Sequence, residues 1–388
     1  MKKRIAIINS HPIQYFAPLY AYLNAQPDLD VTVYYLSDIS IRGEMDKGFG
    51  QAIQWDVDLL SGYRSVFMNG YQTSNPSGFL SLLGLDLWRA IRRERFDAVL
   101  VHGHQYAANI VALAAARSVG TATFMRNETT LLLKRDTHKE RIRRKLLPLL
   151  YRTLDGVLAI GTLNAEYYQA MGVPANKISI VPYSVDNDRF TASSAMTEQE
   201  RTSLREGLGV SDGISAIVYA SKFQRRKHPD SVIRAAHAMV TGGANVELVM
   251  IGSGEMDDEL RALAAAGPAK VHFTGFVNQS MLPRYLASCD VFVLPSEEEP
   301  WGLIVNEAMN AGLPVIVGKD AGCVRDLVRN GDNGFAVEPG NVLELQARLT
   351  EVVDEPTQRH MAERSRAIVH EWGYAQCAQG WRQALSRI

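Results

Sequence analysis

Short apolar runs punctuate this chain at regular intervals, and a longer stretch with helical spacing follows each one. In the first half the runs are Ile5–Ile8, Val31–Tyr35, Ala98–His102, Thr121–Met125 and Gly156–Ile160. Strands covered by helices on both faces read as such β-branched runs, so the alternation predicts βαβ units around a parallel sheet. The rhythm recurs at Ala216–Ala220, Val246–Ile251, Val271–Gly275, Val291–Pro295, Pro314–Val317 and Gly334–Val337, which predicts a second doubly wound sheet. Between the halves, residues 172–190 hold two prolines and a polar cluster, an expected interdomain connection with its boundary near Asp186. Residues 37–84 have weak periodicity and are expected to form irregular insertions. The last segment, residues 371–385, has helical spacing, with Trp372 and Trp381 as packing anchors. In open sheets of this kind ligands bind at the carboxyl ends of the strands, so two facing domains are expected to enclose the functional cleft.

Composition agrees with this picture and narrows it. A chain of 388 residues exceeds one ordinary core and suits two domains. Hydrophobic residues at 46% and charged residues at 21% argue against disorder, and no run approaches the roughly 20 apolar residues of a membrane span. The basic start MKKR precedes an apolar run too short for a signal peptide. Cys289, Cys323 and Cys377 lack the spacing of a zinc site or redox dithiol and suit a reducing, cytoplasmic setting. With 41 Lys plus Arg against 42 Asp plus Glu, the net charge of -1 gives no general attraction for nucleic acid.

The densest chemistry lies in residues 295–315, PSEEEPWGLIVNEAMNAGLPV. A strand ends at Pro295, a polar turn follows, and Gly302 introduces a helix running to about Asn310. Its first-turn amides suit a phosphate or sugar oxygen. Glu299 precedes the helix and Glu307 lies on it. After the 216–220 strand come Lys222 and Lys227, cations able to stabilise charge developing on a leaving group. The turn Gly252-Ser-Gly254 lets backbone approach a ligand, yet it lacks the third glycine of a dinucleotide fingerprint, which argues against a nicotinamide enzyme. His102 and His104 end another strand; without a third ligand they do not make a zinc site.

The run Glu299-Pro-Trp-Gly-Leu-Ile-Val-Asn-Glu307, continued by Gly312-Leu-Pro-Val315, resembles the E-x7-E motif of retaining GT-B glycosyltransferases of family 4. Residues 221–228, SKFQRRKH, resemble that family's G-R-L-x-x-x-K-G loop, and Ile251–Gly254 and Phe273–Val277 follow in the expected order. The resemblance is strong over residues 180–340; His11–Phe16 and Val181–Asp186 extend it thinly into the first half. It implies two Rossmann-like domains facing a cleft: 1–185 on the acceptor side, 186–365 binding the donor, and 366–388 as a helix returning to the first. It also implies transfer of a sugar from a nucleotide sugar, UDP- or GDP-linked, to a hydroxyl on a glycan or lipid-linked glycan in bacterial cell-surface synthesis.

The roles the resemblance implies follow residue by residue. Lys222 and Lys227 hold the diphosphate without a metal, and Arg225 and Arg226 either offset the bidentate fork lost where Lys222 replaces the family's Arg or stand solvated on the loop. The Gly302 and Leu303 amides hold phosphate or sugar oxygens, Glu299 orients the sugar and Glu307 binds ribose. Trp301, Gly254 and the backbone at Val277 stand on the donor side, and Gln14 or His11 replaces a glycine-rich turn. Met125 stands where many members have a histidine, so Arg126, Asn127 or Glu128 is expected to orient the donor or acceptor, with His104 nearby and helix capping as the alternative for Asn127 and Glu128.

Residues 134–152, Lys134 to Arg152, carry eight Lys or Arg against one Asp and one Glu among leucines, which suits either a solvated helix face or peripheral contact with an anionic inner membrane face. The competing functional readings are a sugar-nucleotide epimerase, a sugar phosphorylase, and a non-catalytic sugar-nucleotide-binding scaffold.

Overall fold

The computed structural model describes residues 2–43, 45–46, 51–52, 54–72, 78–133 and 138–388. They divide into two compact units, one made of Met1–Glu44, Ile53–Asp186 and Tyr374–Ile388, the other of Met45–Ala52 and Asn187–Gly373. Strands in chain order are β1 (Lys3–Asn9), β2 (Leu29–Ser37), β3 (Met45–Asp46), β4 (Gln51–Ala52), β5 (Arg64–Gln72), β6 (Ala98–His102), β7 (Ala122–Arg126), β8 (Gly156–Ala159) and β9 (Ile178–Ile180). The second unit continues with β10 (Ser215–Ala220), β11 (Val246–Ile251), β12 (Val271–Gly275), β13 (Val291–Leu294), β14 (Val315–Gly318) and β15 (Gly334–Val337).

The first unit holds a seven-stranded sheet ordered β5-β2-β1-β6-β7-β8-β9, and the second a six-stranded sheet ordered β12-β11-β10-β13-β14-β15. Every pairing within both sheets is parallel. Helices on both faces bury the central strands; Ile5–Ile8, Val246–Ile251 and Val291–Leu294 are buried throughout. Each expected apolar run forms a strand at its expected place.

Three features differ from the sequence expectation. Within the segment expected to be irregular, β5 adds a parallel edge strand beside β2, with Thr32 opposite Arg64. Ser65, Val66 and Phe67 are only half-buried, as an edge position dictates, so the strand lacks a continuous apolar run. In the connecting stretch, β9 adds a three-residue strand beside β8. The return to the first unit starts at Tyr374 instead of 366, because the helix Glu355–His370 belongs to the second unit.

The terminal helix Tyr374–Leu385 is anchored within the first unit by packing and by charge. Trp381 is buried and meets Phe124 edge-on, with ring centroids 6.2 Å apart. The Cys377 thiol donates to the Pro182 carbonyl at 3.1 Å. The Arg382 guanidinium grips Asp28 through two bonds of 2.7 and 2.8 Å at the exposed end. In the second unit Trp372 stacks on Trp301, centroids 5.7 Å apart. All three cysteines are free and buried, and no described helix is long and apolar enough to cross a membrane.

Emptying the Trp381 site leaves a cavity the helix cannot refill, so Trp381→Ala is expected to cost about 3–5 kcal/mol. Arg382→Ala, which removes an exposed ion pair, is expected to cost less than about 1 kcal/mol. Guanidinium denaturation followed by circular dichroism checks both, and equal losses would mean the helix is held by charge instead of packing.

Candidate functional site

Strand order reverses between β10 and β13: from β10 the chain winds out through β11 and β12, then returns to β13 on the other side. At such a point the two following loops leave in opposite directions and a crevice opens between them. Here those loops are residues 221–228, after β10, and 295–302, after β13. They are tied together by the Glu297 amide, which donates to the Arg226 carbonyl at 2.9 Å.

Arg225–Lys227 forms a single 3-10 turn that carries Lys227 inward, leaving it 7% exposed. Its ammonium is in direct contact with the Glu299 carboxylate. Burial, reinforced by the positive charges of Arg226 and Lys222, pushes the Lys227 pKa down to about 7, while the touching Glu299 carboxylate opposes that shift. Arg226 is exposed and its guanidinium reaches the Glu298 carbonyl at 3.5 Å. Lys222 is half-buried on the same loop. The turn itself is strained: Glu298 holds φ +49, a region non-glycine residues rarely occupy.

Gly302 adopts the left-handed conformation, φ +96, directly before the helix Leu303–Asn310. The Val305 amide donates back to Gly302 at 2.8 Å, while the Leu303 and Ile304 amides ahead of it have no intrahelical acceptor. Glu299 and these amides therefore share the mouth of the crevice. Glu307, on the helix, is 0% exposed and accepts from Gln279 Nε2 at 3.2 Å. Gln279 in turn accepts from Arg189, at its side-chain oxygen (3.2 Å) and its carbonyl (3.3 Å). Neither Gln279 nor Arg189 was foreseen from the sequence, since a lone glutamine in a loop carries no periodic or motif signal.

Two donor-side expectations change in character. Trp301 is 2% exposed; its indole donates to Asn306 Oδ1 at 2.9 Å and stacks on Trp372, so it braces the turn from the core. Gly254 serves backbone packing. An added Cβ would stand 2.7 Å from the Phe223 carbonyl, and its amide already donates to Asp257 at 2.8 Å. With Gly252, whose added Cβ would strike the Ser221 carbonyl, it lets the two loops lie against each other. Val277 follows β12 and is half-buried.

In the first unit the order reverses between β1 and β6. Gln14 lies in the turn after β1, beside His11, which burial lowers to about 4 and whose Nδ1 bonds Ser10 Oγ at 2.9 Å. His102 is lowered to about 3 by burial and then by the charge of Arg126, and bonds the Tyr20 hydroxyl at 2.9 Å. His104 lies in the turn beyond, half-buried. Among the described residues no group of three or more His, Cys, Asp or Glu is placed to hold a metal ion.

The end of β7 separates the residues expected to replace the family histidine. Asn127 is 8% exposed and turned inward: its amide nitrogen donates to Tyr151 at 3.1 Å, and its oxygen accepts from Asn164 at 3.0 Å and from the Thr129 amide at 3.2 Å. These bonds brace the loop after β7. Glu128 is half-buried, accepts from the Tyr183 hydroxyl at 2.8 Å, and has its pKa raised by burial.

An anionic ligand at the Lys227 turn is expected to bind progressively more weakly as pH rises through about 7, because the depressed ammonium is lost in that direction. Calorimetry with a nucleoside diphosphate between pH 6.5 and 8.5 tests this; Lys227→Arg, charged throughout, is expected to flatten the profile. A flat wild-type profile would mean that Glu299 keeps the ammonium charged.

Residues 200–367 match the family described as Glycosyl transferases group 1, and residues 15–184 match the Glycosyl transferase 4-like domain. The chain is 30% identical over 203 residues to the GDP-mannose-dependent monoacylated alpha-(1-6)-phosphatidylinositol monomannoside mannosyltransferase of Corynebacterium glutamicum, covering 50% of this chain and 52% of that protein. It is 27% identical over 307 residues to a D-inositol 3-phosphate glycosyltransferase of Arthrobacter sp., covering 75% of this chain and 69% of that one. The first curated relatives are matched over about half their length. In fold it is similar to Anabaena Alr3699/HepE, solved in complex with UDP and glucose, with TM-score 0.73 and 18% identity over 100% of both chains. With each half matched in sequence and both parallel sheets matched in structure, the chain belongs to the group 1 glycosyltransferases of GT-B fold.

Proposed function

We propose that this chain is a retaining glycosyltransferase that moves a sugar from a UDP- or GDP-linked donor to a hydroxyl acceptor. The observation that carries the reading is the meeting of Lys227 and Glu299 at the mouth of the helix that bears Glu307. One cation, one carboxylate and a set of open amides converge where a nucleotide sugar presents a diphosphate, sugar hydroxyls and a ribose.

In this reading the Lys227–Glu299 pair exchanges partners when the donor binds. Lys227 turns to the diphosphate, helped by Lys222 and Arg226, and Glu299 accepts from sugar hydroxyls. The Leu303 amide and the helix start receive a phosphate or sugar oxygen. Glu307, steadied by Gln279, accepts from the ribose hydroxyls. The bond from the anomeric carbon to the phosphate oxygen breaks, and the cations stabilise the charge appearing on the nucleoside diphosphate. The acceptor hydroxyl attacks from the face the phosphate leaves, and a departing phosphate oxygen takes its proton, so the anomeric configuration is retained. The lysines supply the charge stabilisation, and no divalent ion is required.

Bacterial cell-surface polysaccharide or glycolipid synthesis is the proposed setting, with peripheral contact at an inner membrane face. Residues 134–137 of the basic stretch lie outside the described residues. The helix His138–Thr153 that continues it exposes Leu146 and Leu149 beside exposed Lys145 and Arg152, as a surface-lying segment would.

Calorimetry with a panel of nucleoside diphosphates and their sugars tests the donor site. One nucleotide is expected to bind wild type, with Lys227→Ala and Glu307→Ala each weakening it by about tenfold or more, or about 1.4 kcal/mol. Product anomers read by NMR decide retention, and activity abolished by a chelator and restored by Mg2+ would overturn the metal-free step. Binding without turnover on any acceptor would favour the non-catalytic reading.

A further inference from the structure

The first unit buries a cation one edge of which has no hydrogen-bond partner among the described residues. Arg126 is the last residue of β7, paired in register with His102 at the end of β6, and is 3% exposed. Its guanidinium lies 5.5 Å from the centre of the Phe16 ring and 5.1 Å from that of Tyr183, two rings themselves stacked 5.7 Å apart. Among the described residues neither Nε nor Nη2 has a hydrogen-bond partner. These two nitrogens form one edge of the guanidinium plane, the edge whose parallel N–H bonds fit the two oxygens of a carboxylate or phosphate.

Among the described residues, the groups that feel that charge are, Glu128 apart, neutral near pH 7. The pKa of His102 is driven down by burial and that of Tyr183 up, so both groups stay neutral near pH 7. Burial likewise raises Tyr20 and Tyr168, and it holds the Cys377 thiol at about 11. The acid within reach is Glu128, whose carboxyl is raised by burial against the opposing pull of the Tyr183 hydroxyl, which donates to it at 2.8 Å, and of the Arg126 charge; it leaves the Nε and Nη2 edge unbonded. Burying N–H groups of a cation without acceptors is costly, so an edge kept in this state is one suited to a partner from outside.

We infer that the unfilled edge of Arg126 is a binding site for an oxyanion of the acceptor, so that the acceptor carries a carboxylate or a phosphate group as well as the hydroxyl that is glycosylated. Arg126 receives the oxyanion at two N–H bonds, and Glu128, half-buried one strand-end step further out, accepts from a hydroxyl of the same molecule. The inference rests on the transferase reading for the word acceptor, while the oxyanion site stands on Arg126 alone. It assigns the donor's diphosphate to the cations of the second unit, which leaves Arg126 for a second anionic group.

The test is calorimetry and thermal shift with inorganic phosphate and D-glucuronate as probes and D-glucose as the neutral control, each measured with a saturating nucleoside diphosphate. Wild type is expected to bind one or both anions and not glucose; Arg126→Met is expected to weaken that binding by about tenfold or more with nucleotide affinity unchanged. Arg126→Lys, which keeps the charge and loses the fork, covers the case in which the methionine variant fails to fold, and its anion affinity is expected to fall as well. Absence of anion binding to wild type, or anion affinity unaltered in a folded variant, overturns the site. Loss of nucleotide affinity in either variant gives the edge to the donor and overturns the acceptor assignment. Nucleotide binding to wild type is read in the same titrations, so failure of the donor reading is seen apart from failure of this one.

Discussion

In a parallel sheet covered by helices, the strands have no solvated face on which to carry chemistry. Polar groups that must act are confined to the loops at the strand ends, and strand order decides which loops meet. That constraint governs both units. In the second, reversal at β10 and β13 places the loops of Lys227 and Glu299 against each other, and the glycine pair 252 and 254 removes the side chains that would hold neighbouring loops apart. In the first, reversal at β1 and β6 puts the turn of His11 and Gln14, the His102 end and, one strand further, Arg126 along one edge.

The two edges solve the problem of buried charge differently. Lys227 and Glu299 rest against each other, so each charge has its counter-charge within the same crevice. Glu307 is held by Gln279, which Arg189 holds in turn, a chain that fixes a carboxylate inside the helix layer without leaving it to choose among rotamers. Among the described residues Arg126 has no hydrogen-bond partner at Nε or Nη2, and its guanidinium lies against the faces of two rings.

Much of the fold was legible because apolar runs report burial directly: the central strands appear where the β-branched runs lie, and Gly302 starts its helix where glycine follows a polar turn. The edge strands β5 and β9 were missed, because half-buried residues leave no continuous apolar run. Among candidate site residues, the helix expected after Gly302 forms there and carries Glu307, yet the surroundings of its neighbours were not readable. Trp301 sits in the motif and points into the core, and Asn127 sits beside Glu128 and points the opposite way, toward Tyr151 and Asn164.

By itself, then, the sequence determined which segments are strands, that they wind into two parallel sheets, and which loops carry cations, carboxylates and glycines, since local periodicity and residue chemistry suffice for that. Only the tertiary structure decided that Lys227 rests on Glu299, that Gln279 and Arg189 support Glu307, and that Arg126 is buried with an edge unfilled. Contacts between loops far apart in the chain depend on strand order and on the direction each side chain takes at its strand end, neither of which a local pattern encodes.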